Sequence, residues 1–137
     1  MNIAVRYHSR GGNTKAVAGI IAQVVGVEAK SVSEPLEQPV DLLFVGAPVY
    51  AMMVDSSLKN FVRGLDTNMV KKIAAFSTAG SHPTAISVIK RIAAERNIPV
   101  CEETFFLKMG LLKHGGKLAD EQVAQARDFA KRIVESQ

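Results

Sequence analysis

Near-continuous apolar runs recur along the chain, separated by stretches in which apolar residues return every three or four positions. The runs at 2–7 (NIAVRY), 27–32 (VEAKSV), 41–47 (DLLFVGA), 71–78 (KKIAAFST) and 98–106 (IPVCEETFF) read as strands. Those around Phe44 and at 73–76 lack polar alternation, as strands buried on both faces do. The intervening segments are amphipathic. Val17, Ile20, Ile21, Val24 and Val25 fall on one helix face, and Leu58, Phe61, Val62 and Leu65 repeat the pattern with Asp55, Ser56 or Ser57 as N-cap. Pro83 suits the first turn of a helix carrying Ile86, Ile89 and Ala93, with Ser81 as its N-cap and its end before Pro99. Val123, Ala126, Ala130, Ile133 and Val134 mark a last helix, capped near Asp120. Only the short SEPLEQP (33–39) separates the second and third strands, where a helix could have stood.

Strands alternating with helices of this length predict right-handed crossovers and a parallel sheet covered on both faces. Residues 1–137 are expected to form one domain, since no tandem repeat or linker-like tract divides them. In such sheets ligands bind outside the carboxyl ends of the strands, where the strand order reverses. The loops after the first, third and fourth strands are therefore the places to look.

The first of these loops is HSRGGNTK. Gly11 and Gly12 give access to backbone N–H groups, Ser9, Asn13 and Thr14 add polar side chains, and the following helix contributes its positive end. These are the parts of a phosphate cradle. The spacing is neither G-x-x-x-x-G-K-[ST] nor G-x-G-x-x-G, and a plain Gly-Gly turn with Asn13 or Thr14 as cap uses the same residues. The second loop, GAPVYAMMVDSS, places Tyr50, Met52 and Met53 after the strand-ending Pro48. They can cover a planar ligand or fill core. The third, STAGSHP, offers the small residues Ser77, Thr78, Ala79 and Gly80, or a plain strand-to-helix turn, with His82 exposed, capping or functional.

Composition narrows the function classes. At 47% hydrophobic and 22% charged, the chain is that of an ordinary globular protein. Cys101 is the sole cysteine, so an internal disulfide is excluded, a reducing cytoplasm is expected, and with three scattered His no typical structural zinc site can be built. The apolar stretch 42–54 contains Gly46 and Pro48 and is too short to insert in a membrane, and Met1 leads directly into the first strand with no signal segment expected. A net charge of +4, from 17 basic and 13 acidic residues, favours acidic partners. The basic residues are dispersed and no aromatic platform accompanies them, which argues against nucleic acid. The basic run KMGLLKHGGK (108–117), with Lys108, Lys113, His114 and Lys117, reads as a solvated loop or a docking patch. Cys101 is expected inside the fifth strand, with Glu102 and Glu103 on its opposite faces.

YHSRGGNTKAVA resembles the Y-x-S-x-x-G-N-T phosphate loop of the flavodoxin family, GAPVY resembles its second loop and FSTAG its third. The resemblance, to the short-chain kind, covers essentially the whole chain. It implies a flavodoxin-like three-layer α/β sandwich with a five-stranded parallel sheet in order 2-1-3-4-5, helices on both faces, and FMN as cofactor. Ser9, Gly11, Gly12, Asn13 and Thr14 would then hold the FMN phosphate, with Arg10 at the rim. Pro48, Val49, Tyr50 and Ala51 would lie along one side of the isoalloxazine, and Ser77, Thr78, Ala79 and Gly80 at its polar edge. The function implied is a non-covalent FMN electron carrier, acting as a monomer or weak dimer. An FMN-dependent NAD(P)H:quinone-type reductase and a flavin-free binding module are the alternatives. Three features depart from the family. The chain is basic where flavodoxins are usually acidic, so its redox partners are expected to dock through an acidic face. The third loop lacks an aromatic residue, leaving His82 or a methionine to cover the second flavin face, or that face open. Ala51, Met52 and Met53 stand where the family often has a glycine whose peptide flips on reduction.

Overall fold

The computed structural model describes residues 1–50, 53–79, 82–109 and 115–137. The expected Ser81 cap, Met52, Lys113 and His114 lie outside the described residues, as do the candidate site residues Ala51 and Gly80. The chain runs β1 (Ile3–Tyr7), α1 (Asn13–Val25), β2 (Ala29–Ser31), β3 (Leu42–Pro48), α2 (Ser56–Arg63), β4 (Ile73–Ala79), α3 (Thr84–Glu95), β5 (Phe105–Lys108) and α4 (Asp120–Glu135). The sheet order is β2-β1-β3-β4-β5, as expected, and every ladder is parallel.

Successive strand residues point to opposite faces of a sheet, and here each face has its own helical cover. Leu43 and Val45 of β3 and Ile73 and Ala75 of β4 pack with Leu58 and Val62 of α2 and Ile86 and Ile89 of α3. Leu42 and Phe44 of β3 and Ala74 and Phe76 of β4 pack with Val17 and Ile21 of α1 and Phe129 and Ile133 of α4. Every residue of β3 and β4 is therefore buried, which is why those runs show no polar alternation. Phe44, Phe76 and Phe129 are fully buried, each contributing about 1.5–3 kcal/mol of apolar transfer energy. Phe129 stacks on Phe105 and meets Phe44 edge-on.

Among the described residues, no helix stands between β2 and β3. Arg6 on β1 closes that gap. Its guanidinium donates to the carbonyls of Glu34 at 2.9 Å, Pro35 at 3.1 Å and Val5 at 3.1 Å, and burial lowers its pKa. The amphipathic pattern said nothing of this, because a lone Arg in a strand is usually solvated.

The fifth strand is where expectation and structure part. The run 98–106 first meets β4 at Val100, which bridges Ile73, with Cys101 N–H donating to Ile73 O at 2.8 Å. The next pairing is Phe105 with Phe76. Three steps along β4 thus correspond to five along the partner, so two extra residues leave the ladder. The bulged stretch puts Glu102 and Glu103 in solvent, not on opposite faces of a strand. Glu103 pairs with Arg132 of α4, Nη2 to Oε2 at 2.7 Å. Cys101 is buried but precedes β5, and burial raises its thiol pKa.

α2 is capped by Asp55, which accepts from Ser57 N–H. Pro83 occupies the N-cap of α3, so the helix starts two residues later than an N-cap at Ser81 would place it. Ala119 precedes α4, its N–H donating to Gln122 Oε1 at 2.9 Å. No helix among the described residues is long and apolar enough to cross a membrane.

Candidate functional site

The three loops meet at the carboxyl edge of the sheet, because β1, β3 and β4 are adjacent and parallel. β1 ends at Tyr7, and α1 begins at Asn13 after Gly12 in the left-handed region, φ +94°. A side chain at Gly12 would be strained there. The first turn of α1 carries no acidic residue and no side-chain cap. Its first N–H groups precede any intrahelical acceptor, while Ala16 N–H already bonds Gly12 O at 3.0 Å. A helix end of this kind attracts an anion through its converging donors and its dipole.

Within the loop, Gly12 N–H donates to Ser9 Oγ at 3.2 Å and Gly11 N–H to Tyr50 Oη at 3.0 Å. Arg10 is exposed and lies over the Tyr50 ring, its guanidinium carbon 4.9 Å from the centroid. Tyr50 therefore joins the first and second loops by two contacts. Thr14 and Thr78 join the first and third, their hydroxyls 2.8 Å apart in a buried seam. Only one O–H is used in that pair, so the other keeps a donor. Ser77 is fully buried and its hydroxyl donates to Ala47 O at 2.8 Å.

Pro48 ends β3 in the buried layer, Val49 and Tyr50 are half-buried, and Ala79 ends β4 buried. Tyr50 and Met53 exchange both backbone hydrogen bonds, at 3.1 and 2.8 Å. Met53 is 70% exposed, so it does not fill core. His82 is exposed.

The sequence pattern had not marked the cluster on the α2 side. His8 Nδ1 lies 3.2 Å from Ser57 Oγ, whose hydroxyl donates to Asp55 Oδ1 at 2.7 Å, and His8 Nε2 lies 3.5 Å from Asp55 Oδ2. The single Ser57 proton goes to Asp55, so His8 Nδ1–H is the donor of its contact. With the serine proton taken by the carboxylate, no activated nucleophile results. The Ser57 hydroxyl and backbone N–H hold the Asp55 carboxyl below its usual pKa. His8, Arg10, Tyr50, Asp55 and Lys59 line a groove of about 380 Å³ beside the second loop.

A second unmarked contact lies behind the first loop. Gly115 N–H donates to Gly11 O at 2.6 Å, and Gly116 N–H to Asn13 Oδ1 at 3.2 Å. More than a hundred residues separate the partners in sequence, and neither glycine carries a side-chain pattern that could have announced the meeting. Among the described residues, no three His, Cys, Asp or Glu side chains come together as a metal site.

The donor set suits an anionic, partly planar ligand: glycine N–H groups, hydroxyls and a guanidinium around a helix end, with an aromatic ring beside it. A family model described as a flavodoxin domain matches residues 4–100. Oxidised Flavodoxin 2 from Bacillus cereus superposes with a TM-score of 0.77 at 15% identity, covering 100% of both chains. A flavodoxin from the domain Archaea gives 0.76 at 18% identity, covering 99% of this chain and 98% of the other. An NADH:FMN oxidoreductase in its apo form gives 0.66 at 15% identity, covering 99% and 90%. No curated protein sequence matches the chain. With the parallel 2-1-3-4-5 sheet and the family match over most of its length, the chain belongs to the flavodoxin family.

Proposed function

We propose that this chain is an electron carrier that binds FMN non-covalently and exchanges electrons with protein partners. The observation that carries the reading is the start of α1, where a glycine at φ +94° opens a helix with neither acidic residue nor side-chain cap in its first turn. Such an end favours a phosphate by roughly 0.3–1 kcal/mol from the dipole alone, and by more when partly buried. Ser9, Gly11, Gly12, Asn13 and Thr14 would hold the phosphate, and Arg10 at the rim would balance part of its charge. Pro48, Val49, Tyr50 and Ala51 would line one side of the isoalloxazine, with Ser77, Thr78, Ala79 and Gly80 at its polar edge.

Bound FMN would supply reversible one- and two-electron chemistry. The chain's own part is to orient the ring, exclude water from one face and set the surrounding charge. With a net charge of +4, the surface suits redox partners that present acidic faces. We read residues 1–137 as one cytoplasmic domain, a monomer or weak dimer.

The groove lined by His8, Arg10 and Lys59 favours a second reading. It would let a reductase seat an anionic co-substrate beside Tyr50, and an NADH:FMN oxidoreductase is among the similar folds.

The test is an absorption spectrum after FMN is added and the excess removed, followed by anaerobic titration with NADH and then quinone. Stoichiometric retained flavin, indifferent to NADH, supports the carrier. Retained flavin bleached by NADH and restored by quinone supports the reductase. No retained flavin overturns both and leaves a flavin-free module.

A further inference from the structure

We propose that Gly115 and Gly116, between β5 and α4, are positioning residues that turn the carbonyls of the first loop away from the bound phosphate. The proposal rests on the reading that the loop holds FMN. A trans peptide places its C=O and the following N–H on opposite sides. Gly115 N–H holds Gly11 O at 2.6 Å, so the N–H of the same peptide, that of Gly12, faces the other way, toward Ser9 Oγ. Gly12 O is likewise held, by Ala16 N–H at 3.0 Å. Were either carbonyl free to rotate into the cradle, its oxygen would repel the phosphate and a donor would be lost.

A side chain at Gly12 or Gly116 would crowd the contact, whereas a Cβ at Gly115 would meet nothing within 4 Å. A Cβ on Gly116 would stand 2.8 Å from Gly12 O and 3.5 Å from Ala16 Cβ, and one on Gly12 would stand 3.2 Å from Gly115 C and Gly116 N. All three glycines have positive φ: +94° at Gly12, +88° at Gly115 and +74° at Gly116. Gly116 thus answers to two separate demands, its own backbone and the close approach of the first loop. Gly26 answers to one only. Its φ is +77°, and a Cβ there meets nothing within 4 Å. That difference separates the two causes.

The experiment titrates FMN and riboflavin by flavin fluorescence into wild type, Gly116→Ala and Gly26→Ala, with apo thermal midpoints measured alongside. Gly26→Ala shares the φ strain and should leave both affinities as they are. Gly116→Ala should weaken FMN by about tenfold or more, the size of one lost hydrogen bond to a charged group. Riboflavin, which lacks the phosphate, should bind as before. Equal FMN affinity in Gly116→Ala and wild type overturns the proposal, as does an equal loss of FMN and riboflavin. Absence of FMN binding to wild type overturns the FMN reading itself and the proposal with it. If Gly116→Ala does not fold, amide exchange in wild type decides. Exchange of Gly115 N–H should be slowed more by FMN than by riboflavin, and equal slowing overturns the proposal.

Discussion

The hydroxyls of Thr14 and Thr78 meet at 2.8 Å between the first turn of α1 and the end of β4, each 2% exposed or less. Among the described residues each hydroxyl has the other as its partner, so Thr14→Val or Thr78→Val alone strands a buried hydroxyl, at about 1–3 kcal/mol. The double variant removes both groups and should lose less than the sum. A double-mutant cycle in urea measures the coupling.

Tyr50→Phe removes the hydroxyl that takes Gly11 N–H at 3.0 Å and keeps the ring beneath Arg10. A phosphate oxygen is a stronger acceptor than a neutral hydroxyl, so if the loop holds the proposed phosphate the variant would relieve the competition between them. FMN should bind up to about tenfold more tightly, corresponding to 0.5–1.5 kcal/mol for one neutral hydrogen bond. Riboflavin affinity should not change. Fluorescence titration of the two flavins checks both statements.

Arg6→Met should destabilise the fold by about 1–3 kcal/mol, because three carbonyls lose a charged donor. Two of them lie in the exposed 33–35 segment, where water can partly replace the guanidinium. Arg6→Lys should not restore the loss, since a single ammonium cannot span three separate acceptors as the planar fork does. Chemical denaturation of the three proteins decides.

Gly46 faces Phe76 across the β3–β4 ladder so closely that a Cβ would enter the ring's van der Waals envelope. Phe76 is fully buried and cannot swing out. Gly46→Ala should therefore lower stability by about 1–3 kcal/mol through overpacking. Phe76→Leu placed on that background should recover part of it, which unfolding midpoints would show.

The Asp55 carboxyl titrates below the ordinary value of 3.8 because the Ser57 hydroxyl and then its backbone N–H bind the ionised form. A depressed folded pKa means stability that is present above the unfolded pKa and lost as pH falls through the folded one. Asp55→Asn caps a helix about as well and has nothing to titrate. At neutral pH the two proteins should be close in stability. Below about pH 4 the wild type should lose stability more steeply, as thermal midpoints across pH 2–6 would record.

What could be read from the sequence was what repeats locally. β3 and β4 declared themselves because neither face meets water, and the helices because Val17, Ile21, Leu58 and Ile89 recur at helical spacing. The bulge before β5 could not be read so. Cys101, Glu102, Glu103 and Thr104 continue a strand-like run, and only the partner register on β4 reveals two residues too many. The first loop was legible as a candidate anion cradle, since its glycines, hydroxyls and helix start are contiguous. Its far wall was not, because Gly115 and Gly116 join it through backbone groups that any residue possesses. Arg6 escaped for a related reason: its partners are carbonyls, and no complementary carboxylate marks them.

The bond from Gly115 to Gly11 also sets an order of events in synthesis. A chain emerging amino end first exposes HSRGGNTK early, yet the wall behind it is encoded after β5. Until residue 115 has emerged, the Gly11 carbonyl lacks the donor that holds it. If the loop holds the proposed phosphate, ligand capture would then follow assembly of the whole sheet, and the flavin would act as a seal on a finished fold, with no part as its nucleus.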